Sequence, residues 1–125
     1  MSDPLDEKSI DWLPQNGTPV EIVNAYCRAW DEANYRALLW ITTAHLLESL
    51  GINSREQFAD SAADYAEEAE SAQRMVTDFT IDGNKATVVM VETVLDGTDY
   101  ITDTLTYGLV VDPDGDWVVD SVIAN

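Results

Sequence analysis

The chain has 125 residues, 46% of them apolar, and a formal charge of −18 from 24 acids against 6 bases. That is the length of one domain, with apolar content for a core that needs no disulfide or structural metal. A basic face for phosphates cannot be built from Lys8, Arg28, Arg36, Arg55, Arg74 and Lys85, which excludes direct binding of nucleic acid or of an anionic membrane surface.

Residues 1–17 carry Pro4, Pro14 and Gly17 without periodicity and read as a flexible acidic arm, pinned by Ile10, Trp12 and Leu13, ahead of a single domain over 18–125. The start, Met1-Ser2-Asp3-Pro4-Leu5-Asp6-Glu7, has neither the basic residues nor the apolar stretch of a signal peptide, so the expected location is the cytoplasm. No apolar run approaches the roughly 18 residues of a membrane span.

Thr18-Pro19-Val20-Glu21 supplies a capping hydroxyl, a proline at the first helical position and a glutamate that reaches back, which predicts a helix over 18–33. Val20, Val23, Cys27 and Trp30 then share one face. Cys27, the only cysteine, is therefore expected as a buried small hydrophobe and not as a nucleophile. Asp31 to Asn34 reads as a joint. A second helix is predicted over 34–50, with Tyr35, Leu38, Leu39, Thr42, Leu46 and Leu50 inward, ending at Gly51 with Ile52 folded back. His45, the only histidine, falls between Thr42 and Leu46 and reads as a half-buried structural side chain ahead of a base. With one Cys and one His, a Cys/His zinc site is excluded. Ser54-Arg55-Glu56-Gln57 opens a third helix over 54–73, with Phe58, Ala62, Tyr65, Ala69 and Ala72 as its buried stripe.

After Arg74 the pattern alternates, predicting strands at 75–81, 85–95, 98–111 and 116–124. Asp82-Gly83-Asn84, Asp96-Gly97 and Asp112-Pro113-Asp114-Gly115 are the connections, so neighbouring strands are antiparallel. The last of these has alternating acids like a calcium loop, but Pro113 interrupts it and the closing glutamate is missing. The predicted fold is α+β, with three N-terminal helices packed on a curved four-stranded antiparallel sheet. If Asp96-Gly97 is a two-residue loop, Leu95 stands opposite Thr98. One hairpin face then holds Ala86, Val88, Met90, Glu92 and Val94 with Asp99, Ile101, Asp103, Leu105 and Tyr107, and its larger apolar residues direct it to the helices. The other face is rich in threonine, with Val89 and Val91, and is exposed or forms a dimer interface. A bulge near Asp116 would swap the faces of Trp117, Val119 and Ile123.

Three helices followed by an antiparallel meander resemble the nuclear-transport-factor-2-like superfamily, a cone-shaped α+β roll. The segment Pro19–Trp30 resembles its first helix, Lys85–Val91 its middle strand, and Asp114-Gly115-Asp116-Trp117-Val118-Val119-Asp120 its closing strand, a likeness that spans about residues 18–124. The resemblance implies a cone whose mouth is lined by aromatics. It also implies that any enzyme of this kind would use an acid–base group inside the cone. Tyr26, Trp30, Tyr107 and Met90 are the expected pocket lining. Asp103, Glu92 and His45 are the candidate catalytic groups, with the two carboxylates diagonal neighbours among core residues.

Fold does not choose the function. The first reading is a non-catalytic binding or interaction domain, dimeric through its sheet, with a small apolar ligand or a basic protein as possible further partner. A second is a lyase- or isomerase-type enzyme using an inward carboxylate. A third is an acidic inhibitor, of the immunity or DNA-mimic kind, that captures a basic protein. No cofactor or metal is expected. The acidity itself reads as adaptation to high salt, as partner recognition or as a solubility feature.

Overall fold

The structure, a computed structural model, describes residues 13–14 and 17–124, without the side chains of 65–71 and 96. Helix α1 spans Pro19–Asp31, α2 Tyr35–Ile41, α3 Ala44–Ser49 and α4 Arg55–Ser71. Strands β1 (Gln73–Asp82), β2 (Lys85–Asp96), β3 (Asp99–Val111) and β4 (Trp117–Ala124) form one antiparallel meander in the order β1-β2-β3-β4. The architecture is α+β, with helices packed on a curved, unclosed sheet. No helix among the described residues is long and apolar enough to cross a membrane.

The capping box of α1 forms as read. The Thr18 N–H donates to Glu21 Oε1 at 2.9 Å, and the Glu21 N–H to Thr18 Oγ1 at 3.2 Å. At α4 the Gln57 N–H donates to Ser54 Oγ, while Gln57 Oε1 accepts from Asn53. Gly51 takes φ +74° and the Ile52 N–H returns to the Leu47 carbonyl, the predicted helix ending. Ala33 carries the α1–α2 joint at φ +52°, a left-handed position that an alanine occupies at some cost.

The helix predicted over 34–50 is two helices. Thr42 is extended (φ −130°, ψ 138°) and bridges Val119 of β4 in parallel, and the Thr43 N–H donates to the Val119 carbonyl at 3.0 Å. Thr43 then caps α3, and its hydroxyl donates to Asp120 Oδ1 at 2.7 Å. Ile41-Thr42-Thr43 is a β-branched run with weak helical preference, and the edge of β4 offers it a strand partner. The break resets the phase. Ala37, Leu38, Ile41 and Leu46 are buried, whereas Leu39 and Leu50, expected inward, are exposed.

The β2–β3 register also differs from expectation. Asp96 pairs with Asp99, so Gly97-Thr98 is the loop and Glu92 lies directly opposite Asp103. A loop centred on Asp96-Gly97 needs positive φ at both residues, but here the positive φ falls on Gly97 (+67°) and not on Asp96. The displacement is by two residues, so the faces keep their identity. Ala86, Val88, Met90, Val94, Tyr107 and Leu109 are buried, as the face argument expects. A register shift between Gly108 and Leu109 leaves Asp120 as the extra residue of β4. Trp117 and Val119 thereby join the inner face and Ile123 the outer one. Gly108 suits that outer face, because a Cβ there would collide with the Ser121 hydroxyl.

The core gathers Val23, Cys27 and Ala29 of α1, Leu38 and Ile41 of α2, Phe58 of α4 and the inner face of the sheet, with Leu13 packed against it. Of the α4 stripe, Phe58 and Ala62 are buried, whereas the side chains of Tyr65 and Ala69 lie outside the described residues, as do Ile10 and Trp12. Self-repulsion at −18 opposes this fold when salt is low. The Debye length falls from roughly 30 Å at 0.01 M to about 3 Å at 1 M, so the melting temperature rises by several degrees over that range. A flat thermal-denaturation series would show that the carboxylates are already spread or paired.

Candidate functional site

Helix α1 lies along the inner face of the sheet, and its buried stripe meets β2 and β3. At this floor Cys27 Sγ stands 3.6 Å from Tyr107 Oη and 4.0 Å from Met90 Sδ. Tyr26 packs edge-on against Tyr107, with ring centroids 5.8 Å apart. Rings then continue outward. Tyr26 to Trp30 is 6.4 Å, Trp30 to Phe58 4.9 Å and Phe58 to Tyr35 5.6 Å, with the Arg55 guanidinium 5.5 Å over the Tyr35 ring. The spacing of four between Tyr26 and Trp30 puts both on one side of α1. The four expected lining residues are therefore together, and they contact one another or shared neighbours.

Burial dominates the electrostatics of the floor. It pushes the Tyr26 hydroxyl up to about 12, against a smaller downward pull from the Trp30 indole. The indole stands close enough to bias the phenol, but among the described residues its buried Nε1–H finds no acceptor of ordinary hydrogen-bond geometry. Burial also raises Cys27, offset in part by Arg74 and Tyr107, with Glu92 and Asp31 adding to the rise. Tyr107 is raised by burial first, then by Cys27, Tyr26 and Glu92. All three groups are neutral at physiological pH, and a protonated buried thiol is not a nucleophile.

Above the floor lies an ion cluster that sequence reasoning missed. Arg74 of β1 donates from Nε to Glu92 Oε2 at 2.7 Å, and from both terminal nitrogens to Asp31 at 2.8 Å each. Its side chain is 16% exposed, that of Glu92 14% and that of Asp31 30%. The bidentate fork fastens the last turn of α1 to the sheet, and it places a cation at the negative end of that helix. Arg74 meets Glu92 because β1 shifts register between Val76 and Asp78. Asp82 pairs with Lys85, and without that shift Arg74 would stand opposite Thr93, on the other face.

The candidate catalytic groups do not converge. Glu92 is inward, but Arg74 engages it as a structural ion pair. Asp103 is opposite Glu92 in register, yet it is exposed, where β3 runs past the cover of the helices. His45 is exposed on α3, a helix that packs against β4, and is not the half-buried residue expected. Among the described residues no group of three His, Cys, Asp or Glu side chains is arranged to hold a metal ion.

The outer face is unlike the rest of the chain. Its positions on β2 are Lys85, Thr87, Val89, Val91, Thr93 and Leu95, those on β3 are the alternate residues Tyr100, Thr102, Thr104, Thr106, Gly108 and Val110, and those on β4 are Val118, Ser121 and Ile123. None of these is a carboxylate, although the chain carries 24 acids; the edge strand β1 adds Asp78 and Asp82 at the border of this face. Tyr100, Ile123 and Met75 of β1 are exposed there.

No family model and no curated protein sequence matches the chain. Solved structures do. A SEC-C motif containing protein from Rhodopseudomonas palustris aligns with a TM-score of 0.69 at 13% identity, covering 98% of this chain and 87% of that one. A protein from Shewanella frigidimarina, provisionally named a ketosteroid isomerase, aligns at 0.63 and 13% identity over 83% and 91%. An NTF-2 like protein of unknown function from Shewanella oneidensis aligns at 0.59 and 15% identity over 84% and 93%.

Proposed function

From the nuclear-transport-factor-2-like fold that the chain shares with these structures, we propose a non-catalytic interaction domain that forms a homodimer through the outer face of its sheet. The observation that carries this reading is the carboxylate-free outer face of β2, β3 and β4 in a chain of charge −18. Two bodies of that charge repel, and they can meet closely only where neither presents an acid. Threonines with Val89, Val91, Leu95, Tyr100 and Ile123 offer an apolar, hydrogen-bonding surface of the kind that interface centres use, poor in charge and containing an exposed tyrosine. The inner face supports the same reading. Its aromatics pack on one another, its thiol is protonated, and its inward carboxylate is bound by an arginine.

Sedimentation of the purified chain tests this. A dimer is expected at about 0.15 M salt, with tighter association at about 1 M as the residual repulsion is screened. A monomer at both concentrations removes the proposal. An enzyme reading would require turnover that depends on Glu92, and Glu92→Gln in a chain that retains its fold separates the two.

A further inference from the structure

Among the described residues, one edge of the sheet has no element along it. β4 is met at Thr42 and Thr43 by the α2–α3 joint, whereas β1 ends the strand order with no neighbour among the described elements. Natural edges are guarded by charged side chains, lysine above all, by proline, by short length or by bulges, and the charges on the second half of β1 are both acidic. β1 is ten residues long, with no lysine and no proline, and its single register shift lies at Thr77. Its second half is exposed and two-sided. Phe79 and Ile81, 56% and 51% exposed, share the inner face with Val88 and Ala86. Asp78, Thr80 and Asp82 share the outer face with Val89, Thr87 and Lys85. The Phe79 N–H is already taken by a carboxylate, that of Asp78, at 2.9 Å. That oxygen stands where the carbonyl of an added strand would accept.

We propose that this edge, residues 78–82, receives an extended basic segment of a partner protein as a fifth strand, one whose residues alternate apolar and Lys or Arg. The apolar side chains lie beside Phe79 and Ile81. The cations stand over Asp78 and Asp82, and Asp78 gives up the Phe79 amide to a backbone carbonyl and takes the cation in exchange. Charge selects this occupant. A second copy of the chain would bring its own Asp78 and Asp82 against the same acids, at −18 on each body. Asp78 and Asp82 border the acid-free outer surface of β2, β3 and β4 at its β1 side, so peptide binding is read together with sedimentation, whether or not the chain dimerises there.

The probe is a short fluorescent peptide alternating lysine and valine, followed by anisotropy at about 0.05 M salt. Two controls carry the specificity. One has the same composition with lysines and valines in separate blocks, and the other is N-methylated on alternate amides so that one backbone edge cannot pair. The alternating peptide is expected to bind at least tenfold more tightly than either. Asp78→Lys with Asp82→Lys should lose binding at least tenfold, and Phe79→Ser or Ile81→Ser several-fold, in variants that melt as the parent does. Hydrogen exchange at the Phe79 amide should slow when the peptide is added. Equal binding of the block or N-methylated peptide reduces the effect to general attraction and overturns the proposal. So does unchanged binding by the folded variants, or a change in the sedimentation of the Phe79→Ser or Ile81→Ser protein itself, which would put a second copy on the edge.

Discussion

Replacing Arg74 with methionine lowers the stability of the fold by about 3 kcal/mol, read from urea denaturation at fixed salt. The guanidinium serves Glu92 and Asp31 at once. Methionine keeps much of the stem but leaves both carboxylates without that cation. Asp31, 30% exposed, can turn to water, while Glu92, 14% exposed beside the floor of Tyr107 and Cys27, cannot do so readily. Removing one partner of a buried pair costs about 3–5 kcal/mol, and the partial exposure here places the loss at the lower end. Arg74→Met combined with Glu92→Met should recover most of the loss, since no charge is then stranded. A single-variant loss under about 1 kcal/mol would mean that water already screens the cluster as it does a surface pair.

Stability falls steeply as pH rises from about 10 toward 12. The Tyr26 hydroxyl has an ordinary value of 10.0 and is pushed to about 12 by burial. Between those values the unfolded chain releases a proton that the folded chain keeps, so the contribution is fully present below 10 and lost on the way to 12. Two units correspond to about 2.7 kcal/mol for Tyr26. Tyr107 shifts in the same direction, and Cys27, raised from 9.0, starts the decline earlier. The chain has only two lysines, Lys8 and Lys85, so deprotonation of amines adds little in this range. Tyr26→Phe should flatten the alkaline limb in denaturant titrations across it. An unchanged limb in that variant would take the loss away from Tyr26 and leave it to Tyr107, Cys27 and the rising negative charge of the whole chain.

What was legible in the sequence was whatever rests on local signals. Thr18-Pro19-Val20-Glu21 announced α1, Gly51-Ile52 announced the end of α3, and the alternation of β2 and β3 assigned their faces even though the loop was misplaced by one residue and the pairing by two. Three features were not legible, and each depends on a partner distant in sequence. The α2–α3 break answers to the edge of β4, so helical periodicity ran through Thr42 unopposed. The bulges at Thr77 and Asp120 each reverse the facing of a strand segment. One of them turns Arg74 inward, and nothing in the residues around it shows that. The Asp31–Arg74 pair links positions 43 apart, through the very bulge that could not be read. The site was therefore half seen. Tyr26, Trp30, Met90, Tyr107 and Glu92 were placed inside, but the arginine that decides the state of Glu92 was not.

The central claim is the pairing of two acidic chains through the acid-free outer surface of β2, β3 and β4. Thr104 lies on that face opposite Val91, is half-buried, and can be changed without opening the core. Sedimentation equilibrium of Thr104→Asp beside the parent chain, at about 0.15 M salt, tests the claim most directly. The account predicts a dimer for the parent and, for the variant, association weaker by at least tenfold with the fold retained by circular dichroism, because a carboxylate enters the interface from both copies. A variant that associates as tightly as the parent would contradict it.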